Sequence, residues 1–191
     1  MELLLIRHGL PERSEATADP PLAKEGHEQA RSVARWLAEE PIAAVFASTM
    51  RRALQTAEPL AASLGCGLRT HPGIVEFDRG SGRYVPMEIL KRDDYPAWQA
   101  FVADGYAADI GAFQKVVVEA IEGIIAEHPS KTVGVVCHGG VINVWTAHVL
   151  RMPPRLFFEP GYASIHRYLC AKSGERNVVS LNECAHLRRR A

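Results

Sequence analysis

The chain has 191 residues, 47% of them hydrophobic and 23% charged, the composition of a folded globular domain and not of a disordered or collagen-like polypeptide. Its 22 basic and 22 acidic residues cancel, which argues against nucleic acid as the main partner. No apolar run approaches the roughly 18 residues of a membrane span and no secretory leader is recognisable, so no membrane partner and a cytoplasmic location are expected.

Glu2–Arg7 reads as a buried strand. Leu22–Glu40 carries Ala30, Val33, Ala34 and Leu37 at helical spacing and ends before Pro41. Ile42–Ala47 is a second buried strand, and Met50–Leu64 a helix closing at Gly65. Residues 72–111 break this rhythm. They are rich in Gly, Asp, Arg and aromatics, among them Tyr84, Tyr95, Trp98, Phe101 and Tyr106, and are expected to hold an inserted cap or lid at about 77–111. Ala112–His128 is helical, with Val116, Val117, Ala120, Ile121, Ile124 and Ile125 on one face. Thr132–Cys137 is a third strand, Val141–Leu150 a helix stopped by Pro153-Pro154, and Ala163–Cys170 and Asn177–Leu181 are further strands. The order predicts an α/β fold over 1–191: a single-domain three-layer α/β/α sandwich with a mostly parallel central sheet and a small inserted cap.

In such sheets ligands bind beyond the carboxyl ends of the strands. There the chain places Arg7-His8-Gly9, then Ser48, Arg51 and Arg52, then His138-Gly139-Gly140. Two imidazoles and at least one guanidinium converge on one edge. Glycines beside them let backbone amides approach a ligand. Such an edge binds anions and suits phosphate in particular.

Arg7-His8-Gly9 at the end of the first strand resembles the signature of the histidine phosphatase superfamily, the phosphoglycerate mutase-like family. Four further stretches match in order. Leu22-Ala23-Lys24-Glu25-Gly26-His27-Glu28-Gln29-Ala30 resembles its Leu-Thr-x-x-Gly-x-x-Gln-Ala helix start. Ser48-Thr49-Met50-Arg51-Arg52-Ala53-Leu54-Gln55-Thr56-Ala57 resembles its Ser-x-x-x-Arg-Ala-x-Gln-Thr-Ala. Glu76-Phe77-Asp78-Arg79-Gly80 resembles its Glu-x-x-x-Gly, and Val136-Cys137-His138-Gly139-Gly140-Val141-Ile142 its second His motif. The resemblance implies phosphomonoester hydrolysis of a small phosphorylated substrate with His8 as nucleophile. Arg7, Arg52 and His138, the last as a cation, would clamp the phosphoryl oxygens, and Gly139 and Gly26 would add amides. Glu76 would be the general acid and base, with Asp78 as the rival donor. Cationic side chains would stand in for a metal, so neither metal nor cofactor is implied.

Metabolic mutases of this family carry Arg-His-Gly-Glu and a later Trp-Asn. Leu10 and Ser14 stand near those places here, and Ala23 replaces a Thr, which favours hydrolysis over mutation, although Arg13, Arg79 and Arg83 offer material for a second anion site. Two other enzyme readings have a literal basis. Cys170-Ala171-Lys172-Ser173-Gly174-Glu175-Arg176 fits the Cys-x5-Arg loop of cysteine phosphatases, but an expected strand follows where that loop needs a helix. His8, His138 and Asp78 could ligate a metal, but adjacent arginines oppose it. The four cysteines, Cys66, Cys137, Cys170 and Cys184, form no Cys-x-x-Cys pair and are read as free thiols. Arg188-Arg189-Arg190 reads as a solvated tail. A module that binds phospho-ligands without turnover is the non-enzymatic alternative, opposed by the presence of both His8 and Glu76.

Overall fold

The computed structural model describes residues 1–77, 80, 82, 84–103 and 109–188, with the backbone alone at 88 and 101–103. Asp78, Arg79, Arg83, Tyr106, Arg189, Arg190 and the Phe101 side chain therefore lie outside the described residues.

Six strands form one sheet: β1 (Glu2–Arg7), β2 (Ile42–Ala47), β3 (Leu68–Thr70), β4 (Thr132–Cys137), β5 (Ile165–Cys170) and β6 (Arg176–Glu183). Their spatial order is β3-β2-β4-β1-β5-β6. β1 to β4 run parallel, and β5 runs against both β1 and β6. β1 sits between β4 and β5, so both of its faces must be apolar. Leu3 and Leu5 point into one core with Val133, Val135 and Trp145, and Leu4 and Ile6 into the other with Val33, Leu37 and Leu60. Helices α1 (Lys24–Trp36) and α2 (Arg51–Leu64) cover the second face. The first is covered by α5 (Ile110–Glu127) and α6 (Gly139–Val149). This is the three-layer, mostly parallel arrangement expected. Between β3 and α5 the chain forms a short 3-10 turn at Pro72–Ile74 and the helices α3 (Met87–Asp93) and α4 (Tyr95–Ala103). None of the helices among the described residues is long and apolar enough to cross a membrane.

Several element bounds differ from expectation for local reasons. The first helix begins at Lys24, not Leu22, because the Leu22 N–H goes to Gln55 Oε1 (2.7 Å) and the Ala23 N–H to the Leu10 carbonyl (2.9 Å). It stops at Trp36, and Leu37 caps it by donating to the Val33 carbonyl. α5 starts two residues early because Asp109 Oδ1 accepts the Ala112 N–H at 3.0 Å. β5 starts at Ile165 because Ala163 turns at φ 56. β3 has only three residues, two of them exposed, and so lacks an apolar signature.

The loop after β1 is clamped to both helices of the second face. Gln29 Oε1 accepts the Leu10 N–H (2.8 Å), and Thr56 Oγ1 accepts the Gly9 N–H (2.9 Å) while donating to the Arg52 carbonyl (2.7 Å). Gly9 and Gly26 face each other across this clamp. A Cβ on Gly9 would sit 2.6 Å from the Gly26 oxygen, and one on Gly26 would overlap the Leu10 oxygen. Gly26 is thus a close-packing position and does not line the pocket described below. Near the other end of β1, Arg167 joins Glu2 (3.0 Å), Glu40 (2.5 Å) and Glu183 (3.3 Å), tying β1, β5 and β6 to the turn before β2.

Gly26→Ala is therefore expected to lower stability by about 1–3 kcal/mol, the usual cost of overpacking, measured by urea denaturation. Wild-type stability in this variant would contradict the close packing.

Candidate active site

The carboxyl ends of β1 and β4 and the start of α2 bring the expected residues together. Arg7, His8, Arg52 and His138 are all buried, Arg52 and His138 completely. The His8 and His138 rings lie 5.1 Å apart between centroids. His8 Nδ1 is 2.8 Å from the Gly9 carbonyl, an acceptor only, so Nδ1 carries the proton. Nε2 is then the lone-pair nitrogen, and Arg52 Nε donates to it at 3.2 Å. Arg52 Nη1 donates to the Ala18 carbonyl (2.9 Å) and lies 3.7 Å from Asp19. Arg7 Nη1 donates to the Pro160 carbonyl, and its guanidinium lies 3.9 Å from the Tyr162 ring centre. His138 Nε2 lies 2.8 Å from Ser48 Oγ, which also accepts the Met50 N–H.

Arg7 Nε and His138 Nδ1 are buried without a hydrogen-bond partner among the described residues. Buried polar atoms are rarely left unpaired. Two together, beside an imidazole lone pair, mark a place built for an anion with several acceptor oxygens.

Glu76 reaches this edge from the turn after β3. Its Oε2 accepts the Gly140 N–H (3.0 Å) and its Oε1 the Phe77 N–H (3.2 Å), so the carboxylate sits at the positive end of α6. A Cβ on Gly140 would collide with that carboxylate. Gly140 is therefore open for Glu76, and both Gly139 and Gly140 line the pocket.

Burial first, then the charges of Arg52 and Arg7, hold the His8 pKa well below the usual histidine value. His138 is lowered likewise, by burial and then by Arg52, His8 and Arg7. In the protein alone, burial and these charges favour the neutral His138 ring; the expected cation is the ring with a phosphoryl group against it. Ser48 accepts from Met50 and has its hydroxyl proton available for Nε2, the pairing in which the neutral ring carries its own proton on Nδ1.

Asn143 was not singled out from the sequence. Its Nδ2 donates to the Gly139 and Phe158 carbonyls (both 2.9 Å), and its Oδ1 accepts the Phe157 and Phe158 N–H groups. It pins the 153–160 loop to α6. The signal was present: a lone amide one turn after Gly139, in the otherwise apolar run Val141-Ile142-x-Val144-Trp145. Tyr162, under Arg7, carried no comparable signal. The Cys-x5-Arg match is a hairpin: Cys170 ends β5, Arg176 begins β6, and Arg176 pairs with Glu122 at 2.5 Å. Of the alternative metal set, Asp78 lies outside the described residues.

These groups form one end of a pocket of about 740 Å³, whose walls include Phe77, Met87, Trp98, Ile110, Leu156 and Phe157.

Two histidines, two arginines and a glutamate thus meet at the carboxyl edge of the parallel strands. Residues 3–183 match the model of the histidine phosphatase superfamily, branch 1, and the chain belongs to that superfamily. Phosphoserine phosphatase 1 of Hydrogenobacter thermophilus is 25% identical over 203 residues, covering 98% of this chain and 94% of that protein. A Photorhabdus laumondii protein named "Probable phosphoglycerate mutase GpmB" is 30% identical over 110 residues, 55% of this chain, and the match spans about half, 51%, of that relative. The solved structure of Bacillus stearothermophilus YhfR superposes with a TM-score of 0.82 at 23% identity, over 98% of this chain and 99% of that one, a likeness of fold.

The neutral histidines make stability depend on pH. His166, buried and bonded to Ser164 and the Asn182 N–H, is pushed down to about 3. A histidine with a depressed pKa contributes stability that is complete above its unfolded value near 6.5 and is lost as pH falls toward the folded value. Below about pH 6.5 each of His8, His138 and His166 should therefore lower stability progressively as the pH falls. The urea midpoint is expected to fall steeply from pH 6.5 to 4.5. A flat profile would contradict neutral burial.

Proposed function

We propose that this chain is a metal-independent phosphomonoester hydrolase that works through a phosphohistidine on His8 and acts on a small phosphorylated substrate. The observation that carries the reading is the His8 ring, whose Nδ1–H is held by the Gly9 carbonyl so that the Nε2 lone pair faces the Arg52 guanidinium at the base of the pocket. Membership of the superfamily and the likeness to a phosphoserine phosphatase support it.

In this reading Nε2 attacks phosphorus, and an N–P bond forms as the P–O bond to the leaving oxygen breaks. Glu76, carrying a proton when the substrate binds, gives it to that oxygen and, then a carboxylate, takes one from the water that cleaves the N–P bond. Phosphate leaves and His8 is restored. Arg7 Nε, Arg52 and the His138 Nδ1–H hold the non-bridging oxygens and offset their charge in the in-line transition state. The Gly139 amide adds a donor at the start of α6, and Gly26 acts by holding the Gly9–Leu10 backbone. From the stretch expected to form a cap, the described helices α3 and α4 lend Met87 and Trp98 to the pocket wall.

His8→Ala is expected to abolish phosphate release, and the wild type to form an acid-labile phosphoenzyme. Glu76→Gln should slow alkyl phosphates far more than activated aryl phosphates, whose leaving groups need little proton assistance. If Asp78→Asn has that signature and Glu76→Gln lacks it, Asp78 is the proton donor.

Hydrolysis is distinguished from mutation by following phosphate release and 2-/3-phosphoglycerate interconversion on one preparation. Phosphate release should dominate. Isomerisation faster by about 100-fold, equivalent to about 2.7 kcal/mol of barrier, would make the protein a mutase with the same residues.

A further inference from the structure

Beyond its phosphoryl end the pocket changes character. Phe77 from the turn after β3, Met87 from α3, Trp98 from α4, Ile110 from the first turn of α5, and Leu156 and Phe157 from the loop after α6 meet around one space. All six are half-buried, so each keeps apolar surface available to a ligand. The volume, about 740 Å³, lies within the range of pockets that enclose a whole organic molecule, about 300–1,000 Å³, and holds far more than a phosphoryl group.

Among the described residues, the polar groups on these walls leave little to recognise a hydroxylated or carboxylated body. Asn143 spends both ends of its amide on the Gly139, Phe157 and Phe158 backbone. Tyr84 belongs to the phosphoryl end, its ring 4.8 Å from the Arg52 guanidinium. Arg155 and Glu159 are exposed at the rim. A sugar or amino-acid hydroxyl buried here without a partner would lose about 5- to 150-fold in affinity.

The wall is also braced. Trp98 stacks on Tyr95 at 5.3 Å, with Lys91 Nζ 4.6 Å from its ring centre. The 153–160 loop is held by Asn143 at one side and by Arg7 at Pro160. A braced apolar surface binds without first having to be ordered.

We propose that the physiological substrate is the monophosphate ester of a hydrophobic alcohol or phenol, with its phosphate at His8 and its apolar body along Phe77, Met87, Trp98, Ile110, Leu156 and Phe157. This rests on the reading of the His8 end as the phosphoryl site.

The test uses the wild-type protein and n-alkylphosphonates from methyl to octyl, whose carbon–phosphorus bond hydrolysis of esters leaves intact, titrated by calorimetry. In parallel, phosphate release is measured from the matching alkyl phosphates, phenyl phosphate, phosphoserine and 3-phosphoglycerate. Affinity should rise with each methylene, up to about fourfold per step where the methylene is fully buried. 3-Phosphonopropionate should bind more weakly than butylphosphonate. Trp98→Ala should reduce the octyl-to-methyl affinity ratio about tenfold. A flat series, tighter binding of the carboxylated phosphonate, or an unchanged ratio in both Trp98→Ala and Met87→Ala would overturn the apolar assignment. Chain-length-dependent binding with no phosphate released from any ester would sink the hydrolase reading and keep the apolar one. Phosphate release with a flat series would do the reverse. If neither methyl- nor octylphosphonate binds, both fall.

Discussion

Two buried guanidinium groups set the terms for the rest of this molecule. Taking a charge out of water costs several kcal/mol unless the protein supplies replacement contacts. Much of that replacement here is main-chain carbonyl: Ala18 for Arg52 and Pro160 for Arg7. Carbonyls work only if the loops that carry them are immobile. Asn143 ties down the loop leading to Pro160, and the Arg51 N–H bond to Asp19 tethers the stretch next to Ala18. Burial first, and then the same cations, lower the pKa of both imidazoles and favour their uncharged forms in the protein alone. The site's electrostatics and the rigidity of its loops are therefore one problem with one solution.

Much of this was legible in the sequence, and the reasons are specific. β1, β2 and β4 were found to the residue because a central parallel strand covered on both faces has to be apolar throughout. His8, Arg52 and His138 were found because they stand where such strands and their helices present side chains to a ligand. β3 was not legible, since a three-residue edge strand with Arg69 and Thr70 exposed has no pattern to read. The lowered pKa of His138 in the protein alone was not legible, since burial and the arginines packed near it are tertiary facts.

The motif residues also divide in a way that spelling alone does not reveal. Gln29, Gln55 and Thr56 accept backbone N–H groups from Leu10, Leu22 and Gly9 and so hold the loop after β1 in shape. Gly26 and Gly140 are glycines because another part of the protein occupies the place of a side chain. The residues that face the pocket are fewer than the motifs suggest, and most of the remaining pattern describes their support.

The position of β1 has a consequence for biogenesis. Its neighbours are β4, at Thr132–Cys137, and β5, at Ile165–Cys170. During translation Leu3-Leu4-Leu5-Ile6 is made long before either partner strand, since both lie far along the sequence from it. Topologies dominated by such distant pairings fold slowly and expose apolar segments meanwhile. The apolar strand at the centre of the sheet is therefore paired on both sides only once the strand after the Asn143-anchored loop has been made.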